Sequence, residues 1–167
     1  MSVDTVIEHA PWQASLPDLS QRAFDYICAH FQLSPEFEVC VMGCDDARIA
    51  ALNTQFRGKP VPTNVLSWPS DARAPIEEGT HPDLPVFSEM DPELGDIAIA
   101  YETCVAEADA QHKPFDDHVL HLLVHGFLHL LGYDHISDAD AAVMERIEVK
   151  ILKEMNIPDP YGLEDEI

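Results

Sequence analysis

The spacing of apolar residues along the chain alternates between the period of a helix and that of a strand. Apolar side chains recur every three or four residues in five segments, which predicts five helices. These helices are expected over 17–31, 46–56, 102–111, 116–131 and 138–155. Shorter apolar or alternating runs predict three strands, over 36–42, 64–68 and 95–100. In a chain of 167 residues this mixture predicts a single α+β domain, residues 1–167, with a small mixed sheet of three to four strands packed with about five helices.

The same patterns predict which side chains are buried and where two helices begin. Asp45 or Asp46 is expected to cap the second helix, and Ser137 with Asp140 forms a capping box before the last. The residues expected on buried faces are Phe37, Val39, Val41, Ile49, Leu52, Phe56, Val143, Ile147, Ile151 and Met155.

The segment from Ser70 to Pro92 interrupts these patterns. It is rich in Pro, Asp and Glu and has no apolar period. Such a composition predicts an acidic loop or a partly disordered insertion.

The helix over 116–131 carries the candidate chemistry, because it leads into three regularly spaced histidines. Residues four apart share one face of a helix, so His125 and His129 are expected to point at the same spot. Gly132 tolerates a left-handed conformation and can end the helix, so that His135 folds back to the same point. Three imidazoles with a fourth position open to water suit a catalytic zinc, although nickel or copper also fits three nitrogens.

Other residues compete for roles around this point. His121 lies four residues before His125 and is an alternative third ligand, a group behind the ligands, or a surface residue. Ligands at i, i+4 and i+8 would spread about 12 Å along a straight helix, which favours His135. His118 is expected to be a solvated or packing residue, and Asp134 either a carboxylate behind the ligands or a surface group.

The histidine spacing is that of the metzincin proteases, whose pattern is HExxHxxGxxH. In those enzymes the glutamate after the first histidine is the general base. Gly126 occupies that position here and cannot accept a proton. The metal-binding histidines of that pattern are therefore present, but the general base of the peptidase mechanism is absent. This predicts a zincin-like metal helix with different chemistry.

Charge argues against a nucleic-acid partner unless a local basic patch exists. Nine basic and 31 acidic side chains give a net charge of −22, whereas phosphate binding depends on positive charge. The four cysteines include no CxxC pair, which favours reduced thiols in a cytoplasmic protein, with Cys40 and Cys44 as alternative metal ligands. No secretory signal or membrane-spanning segment is predicted.

The histidine segment, His125-Gly-Phe-Leu-His-Leu-Leu-Gly-Tyr-Asp-His135, closely resembles the HGxLHLxGYDH signature of the YbeY endoribonucleases, which are bacterial rRNA maturation factors. Upstream, the segments 52–57 and 63–68 are similar to that family's LNxxFR and TDVLSFP blocks. Further matching blocks, which lie in the family's order between residues 38 and 161, are Gly95-Asp-Ile97, Met144-Glu145 and Asp159-Pro-Tyr161.

The resemblance implies one zinc ion held by His125, His129 and His135, cleavage of single-stranded RNA, maturation of small-subunit ribosomal RNA ends and ribosome quality control. The implied partners are ribosomal RNA and small-subunit ribosomal proteins. Arg57 matches a functionally important arginine of the family, and its planar fork suits phosphoryl oxygens. Lys59 is expected to join a basic patch, with Arg48 a weaker candidate.

Two departures from the family pattern are visible. Asn64 stands where the family usually has aspartate, which puts any acid–base or ligand role there in doubt, and the loop over 70–92 is longer and more acidic. Two other functions stay open: a non-catalytic, zinc-stabilised ribosome assembly factor that binds basic proteins, and a metallohydrolase acting on peptides or amides.

Overall fold

A four-stranded mixed sheet organises the fold in the computed structural model, which describes residues 3–75 and 77–161. The strands are β1 (Val3–Ile7), β2 (Glu38–Cys44), β3 (Val65–Pro69) and β4 (Glu93–Ala100), in the spatial order β1-β2-β4-β3. β1 and β4 both run parallel to β2, whereas β3 pairs antiparallel with β4 and forms an edge. The helices are α1 (Leu16–Phe31), α2 (Asp46–Arg57), α3 (Tyr101–Ala110), α4 (Phe115–Leu130) and α5 (Asp138–Glu154), preceded by a 3-10 turn over Ala10–Ala14.

This architecture confirms the predicted α+β class, the five helices and the three predicted strands. β1 was not predicted, because only Val3 of its five residues is buried and its pattern is therefore weak. The predicted N-caps are confirmed: the side chains of Asp45 and Ser137 accept hydrogen bonds from the backbone N–H groups of Arg48 and Asp140. Only this half of the predicted capping box is seen, because the Asp140 carboxylate accepts from the backbone N–H of Gly79 (2.8 Å).

The sheet separates two apolar clusters. The larger one joins one face of the sheet to α1, α4 and α5, and α4 lies at its centre with Leu123, Val124 and Leu128 fully buried. The smaller one packs α2 against the opposite face through Ile49, Leu52 and neighbours. α4 is therefore held between the sheet and two other helices, which fixes the position of the histidines that it carries.

Most burial predictions are confirmed, with one clear exception. Phe37, Val39, Val41, Ile49, Leu52, Ile151 and Met155 are buried, and Val143 and Ile147 are half-buried against the core. The prediction for Phe56 is wrong, since its side chain is 55% exposed. Phe56 lies in the last turn of α2 beside the edge strand β3, and no strand among the described residues extends the sheet to cover it.

The acidic loop between β3 and β4 has no helix or strand in its described residues, as predicted. Its first part is anchored by Arg73, whose guanidinium donates hydrogen bonds to the carbonyl oxygens of Leu130 (2.8 Å) and Leu94 (3.1 Å). Later in the loop, Nδ1 of His81 lies 2.9 Å from the hydroxyl of Tyr133. The loop is thus attached to the end of α4.

Two further sequence expectations concern the cysteines and the helices. All four cysteines are free, and neither Cys40 nor Cys44 lies in a cluster of metal-ligating groups within the described chain. Among the described helices, none combines the length and the apolar character needed to cross a membrane.

Candidate metal centre

Three histidines converge at one end of α4. The Nε2 atoms of His125 and His129 lie 2.9 Å apart, and the ring of His135 approaches both, with centroid distances of 5.4 Å and 5.1 Å. One ligand atom from each of the three lies within 4.8 Å of the others, and the set can hold a metal ion. The structure thus brings together the three residues that the spacing predicted, and His121 lies outside the set.

A glycine turn carries the chain from the helix to His135. α4 ends at Leu130, and Gly132 has a φ of +107°. A Cβ atom at position 132 would lie only 2.4 Å from the carbonyl oxygen of Arg73. Glycine is therefore required here twice, for the positive φ and for the close approach of the acidic loop.

Each ligand histidine of α4 is oriented through its second ring nitrogen. Nδ1 of His129 donates a hydrogen bond to the carbonyl oxygen of Tyr133 at 2.9 Å. Nδ1 of His125 lies 2.5 Å from the carboxylate of Glu148 in α5. With Nδ1 engaged in both rings, Nε2 is the atom that each presents to the common centre. This is the usual arrangement behind metal-ligating histidines.

Glu148 was not singled out from the sequence, yet it is completely buried behind the histidines. Its carboxylate also receives hydrogen bonds from Nε2 of His121 (3.1 Å) and from the hydroxyl of Tyr161 (2.5 Å). Burial alone would raise the pKa of Glu148, but the hydrogen bonds from His121 and His125 outweigh it and hold the pKa at about 2. His121 therefore supports the carboxylate that orients His125.

The electrostatics of the centre favour neutral imidazole at His129. Burial, followed by repulsion from the neighbouring rings of His125 and His135, lowers the pKa of His129 to about 4. Neutral imidazole is the form that binds a metal, so no proton must be displaced from this ring near pH 7.

An open cleft of about 430 Å³ lies in front of the three histidines. The edge strand β3 forms one wall with Val65 and Ser67, and Arg57 from the end of α2 also lines the cleft. Lys59 is exposed two residues further on, whereas Arg48 pairs with Glu8 at 3.0 Å and does not line the cleft.

The position that carries glutamate in metzincins faces the sheet in this protein. A Cβ atom on Gly126 would lie 3.1 Å from Cδ1 of Ile97 in β4. A side chain here would press on Ile97, so the close packing of α4 on β4 favours glycine at the position of the peptidase base.

Asn64 makes a structural contact at the other side of the cleft. Its Nδ2 atom donates to the Glu107 carboxylate at 3.1 Å, and its Oδ1 atom accepts from the backbone N–H of Val65 at 2.7 Å. Nε2 of the buried His118 lies 2.9 Å from the same carboxylate, so His118 is a packing residue. An aspartate at position 64 would place a second negative charge against Glu107.

Asp134 makes a local contact. It precedes His135 and is half-buried, and its Oδ1 atom accepts from the backbone N–H of Ile136 at 3.3 Å. This contact shapes the turn that carries His135.

Three imidazoles that converge on an open cleft, on a helix followed by a glycine turn, can hold a metal ion in the manner of a metallohydrolase. Comparison with known proteins then identifies the family. The model of the family described as "Endoribonuclease YbeY" matches residues 5–156. The chain belongs to this family, and it is an endoribonuclease, a hydrolase that cleaves RNA internally.

Two relatives support this assignment, and one solved structure supports the fold. The protein named endoribonuclease YbeY from Ruegeria sp. strain TM1040 is 55% identical, over 99% of each chain. The protein of that name from Paracoccus denitrificans is 56% identical over 95% of this chain and 89% of its own. A solution structure from Thermotoga maritima has a TM-score of 0.54 over 92% of this chain and 91% of its own, at 21% identity, and supports the fold.

Proposed function

We propose that this protein is a zinc-dependent endoribonuclease that cuts single-stranded regions of ribosomal RNA, matures the ends of small-subunit ribosomal RNA and contributes to ribosome quality control in the cytoplasm. The observation that carries the proposal is the convergence of three imidazoles on a cleft that is also lined by Arg57. A metal centre can activate water, and a permanent positive charge can stabilise the phosphoryl oxygens, so together they suit phosphodiester hydrolysis.

His125, His129 and His135 would hold the zinc ion. The donor set fits it, because three imidazole nitrogens lie close together and two of them are oriented by hydrogen bonds at their opposite ring atoms. When bound at such a site, zinc acts as a Lewis acid and lowers the pKa of a water molecule to about 7. Three protein ligands leave a position free, whereas structural zinc sites usually have four.

Arg57 would bind the phosphoryl group of the substrate. Its guanidinium stays protonated at any working pH and presents several donors in one plane, so it offsets the charge that develops on the phosphoryl oxygens. Within the described chain Arg57 makes no ion pair and is exposed beside the cleft, so it is available to a substrate.

A second function, a non-catalytic assembly factor, is favoured by the net charge of −22, which suits basic ribosomal proteins. Small-subunit ribosomal proteins also fit the proposed enzyme as partners, because they would bring an acidic protein to its RNA. The two functions differ in one respect: only the enzyme requires Arg57 and an intact centre to break RNA.

The experiment compares four proteins on an end-labelled, single-stranded fragment of ribosomal RNA. We expect Arg57→Ala to retain zinc and to lose cleavage by about 100-fold or more, and His129→Ala to lose both. Arg48→Ala is the matched control, since it removes an arginine from the same helix away from the cleft and should cleave like the wild type. Full cleavage by Arg57→Ala would refute the role of Arg57, and absence of cleavage by pure wild-type protein would favour the assembly factor.

A further inference from the structure

The segment over 47–70 is an exception to the acidic character of the chain. It contains none of the 31 acidic residues and three of the nine basic ones, Arg48, Arg57 and Lys59. It comprises most of α2, the following loop and β3, so it builds the wall of the cleft opposite the histidines. Since Arg48 is paired with Glu8, Arg57 and Lys59 supply the local positive charge that is available to RNA here.

Two aromatic side chains of this segment lie together beside the edge strand β3. The ring of Phe56 is 55% exposed, and its centroid lies 5.3 Å from that of the half-buried Trp68 at an interplanar angle of 67°. The nearby Val61 is also 53% exposed, and its carbonyl oxygen is bonded by Asn53 at 2.9 Å, which anchors the loop between α2 and β3. Phe56 and Trp68 thus form a partly exposed aromatic surface beside a loop that is held in place by Asn53.

This aromatic pair adjoins the cleft through its sequence neighbours Arg57 and Ser67, which line it. Neighbouring residues of a strand point to opposite faces, so Ser67 lines the cleft with the histidines while Trp68 packs with the smaller cluster on the α2 side. Arg57 adjoins Phe56 in the sequence and lines the cleft. A strand of RNA that leaves the cleft across the edge of β3 would meet Phe56 and Trp68 directly.

We propose that Phe56 and Trp68 form a stacking site for a base of single-stranded RNA next to the cleaved phosphodiester. The inference rests on the proposed endoribonuclease function and names a determinant of its preference for single strands. Only an unpaired base can turn its face onto an exposed ring, and such stacking tolerates any base. Arg57 and Lys59 make no ion pair within the described chain, so they remain available to the flanking phosphates.

The test asks whether the ring of Phe56 and one particular base of the RNA contribute to binding through the same contact. A set of short, fluorescein-labelled single-stranded RNAs, each with one abasic position, is titrated in chelator so that no cleavage occurs, and binding is followed by anisotropy. We expect wild-type protein to bind one member about tenfold more weakly than the intact RNA. Phe56→Leu should bind the intact RNA about tenfold more weakly and no longer respond to that abasic position, whereas Phe56→Tyr should behave like the wild type.

Tryptophan fluorescence provides an independent readout. The chain has two tryptophans, and Trp12 is completely buried, so quenching by a bound base reports on Trp68. We expect RNA to quench the wild type and not Trp68→Phe, which keeps a ring and should still bind. Because Phe56 is exposed, Phe56→Leu should keep the thermal midpoint and zinc affinity of the wild type.

Failure of the stacking site can be distinguished from failure of the proposed endoribonuclease function. Two results would refute the stacking site in a wild-type protein that cleaves RNA. In the first, Phe56→Leu binds the intact RNA as tightly as the wild type does. In the second, the abasic position weakens binding to Phe56→Leu as much as it weakens binding to the wild type, and this surface then serves another partner, such as a protein. If wild-type protein neither binds nor cleaves RNA, the proposed function fails together with it.

Discussion

The carboxylate of Glu148 lies 2.5 Å from Nδ1 of His125, although the two residues are 23 positions apart in the chain. This contact joins α5 to the candidate metal centre in α4 and directs Nε2 of His125 toward His129. The orientation of one ligand therefore depends on a buried charge from another helix. A zinc-bound centre should weaken when that charge is removed.

Glu148→Gln should lower zinc affinity by about 10- to 100-fold, because the amide removes the negative charge behind His125 while preserving the shape of the side chain. Competition with a chromophoric chelator measures the affinity. Glu154→Gln is the control, since it neutralises an exposed glutamate at the end of the same helix. Equal affinities for the two variants would show that Glu148 does not support the site.

Gly132 should be far less tolerant of alanine than Gly58. Both have positive φ, but a Cβ atom at 58 would meet nothing within 4 Å, whereas at 132 it would meet the backbone of Arg73. Gly58→Ala should lower the free energy of unfolding by about 1 kcal/mol, because alanine is less stable than glycine in a left-handed conformation. Gly132→Ala should cost about 3 kcal/mol or more through the added overlap, and should also weaken zinc binding by displacing His135. Urea unfolding checks both, and equal costs would contradict the importance of the loop contact.

Asn64→Asp should destabilise the protein by about 1–3 kcal/mol, because it replaces an N–H donor by a second carboxylate against Glu107. Adding Glu107→Gln to that variant should recover most of the loss, since the pair again has a donor and an acceptor. Urea unfolding of the single and double variants forms a double-mutant cycle. Additive effects would mean that the contact between positions 64 and 107 contributes nothing.

Stability should fall at alkaline pH partly because of Cys44. Burial, followed by the Glu8 carboxylate, raises the pKa of this thiol to about 12. The buried, protonated thiol of Cys44 therefore contributes fully to stability below its pKa in the unfolded chain, near 9. This contribution is lost as the pH rises toward 12. Between about pH 9 and 11 the free energy of unfolding of wild type should fall more steeply than that of Cys44→Ala, by up to about 1.4 kcal/mol per pH unit. Parallel profiles would show that the thiol ionises equally in both states.

The sequence was sufficient for features that depend on local period. The helical spacing of α4, the pair His125 and His129, and the turn at Gly132 all follow from residues within one segment. Phe37, Val39 and Val41 alternate because β2 has one face against the larger cluster. These elements obey rules that act over a few residues, and the structure agrees with them.

Features that depend on distant partners could not be predicted in the same way. Glu148 was missed although a signal existed, since it lies four residues after Met144 and four before Leu152 on the buried stripe of α5. A charged residue on such a stripe indicates a buried partner, but only the fold shows that the partner is His125. Phe56 follows the apolar period of α2, and its exposure results from the position of β3 at the sheet edge.

The central claim is that the three histidines form a zinc centre that cleaves RNA. The most direct measurement compares wild type and His125→Ala, purified in parallel, on an end-labelled single-stranded fragment of ribosomal RNA, with chelator and with restored zinc. We predict cleavage by the wild type, its loss in chelator, its recovery with zinc and none by His125→Ala under any condition. Equal cleavage by both proteins, or cleavage by neither, would contradict a zinc-dependent nuclease centre at these histidines.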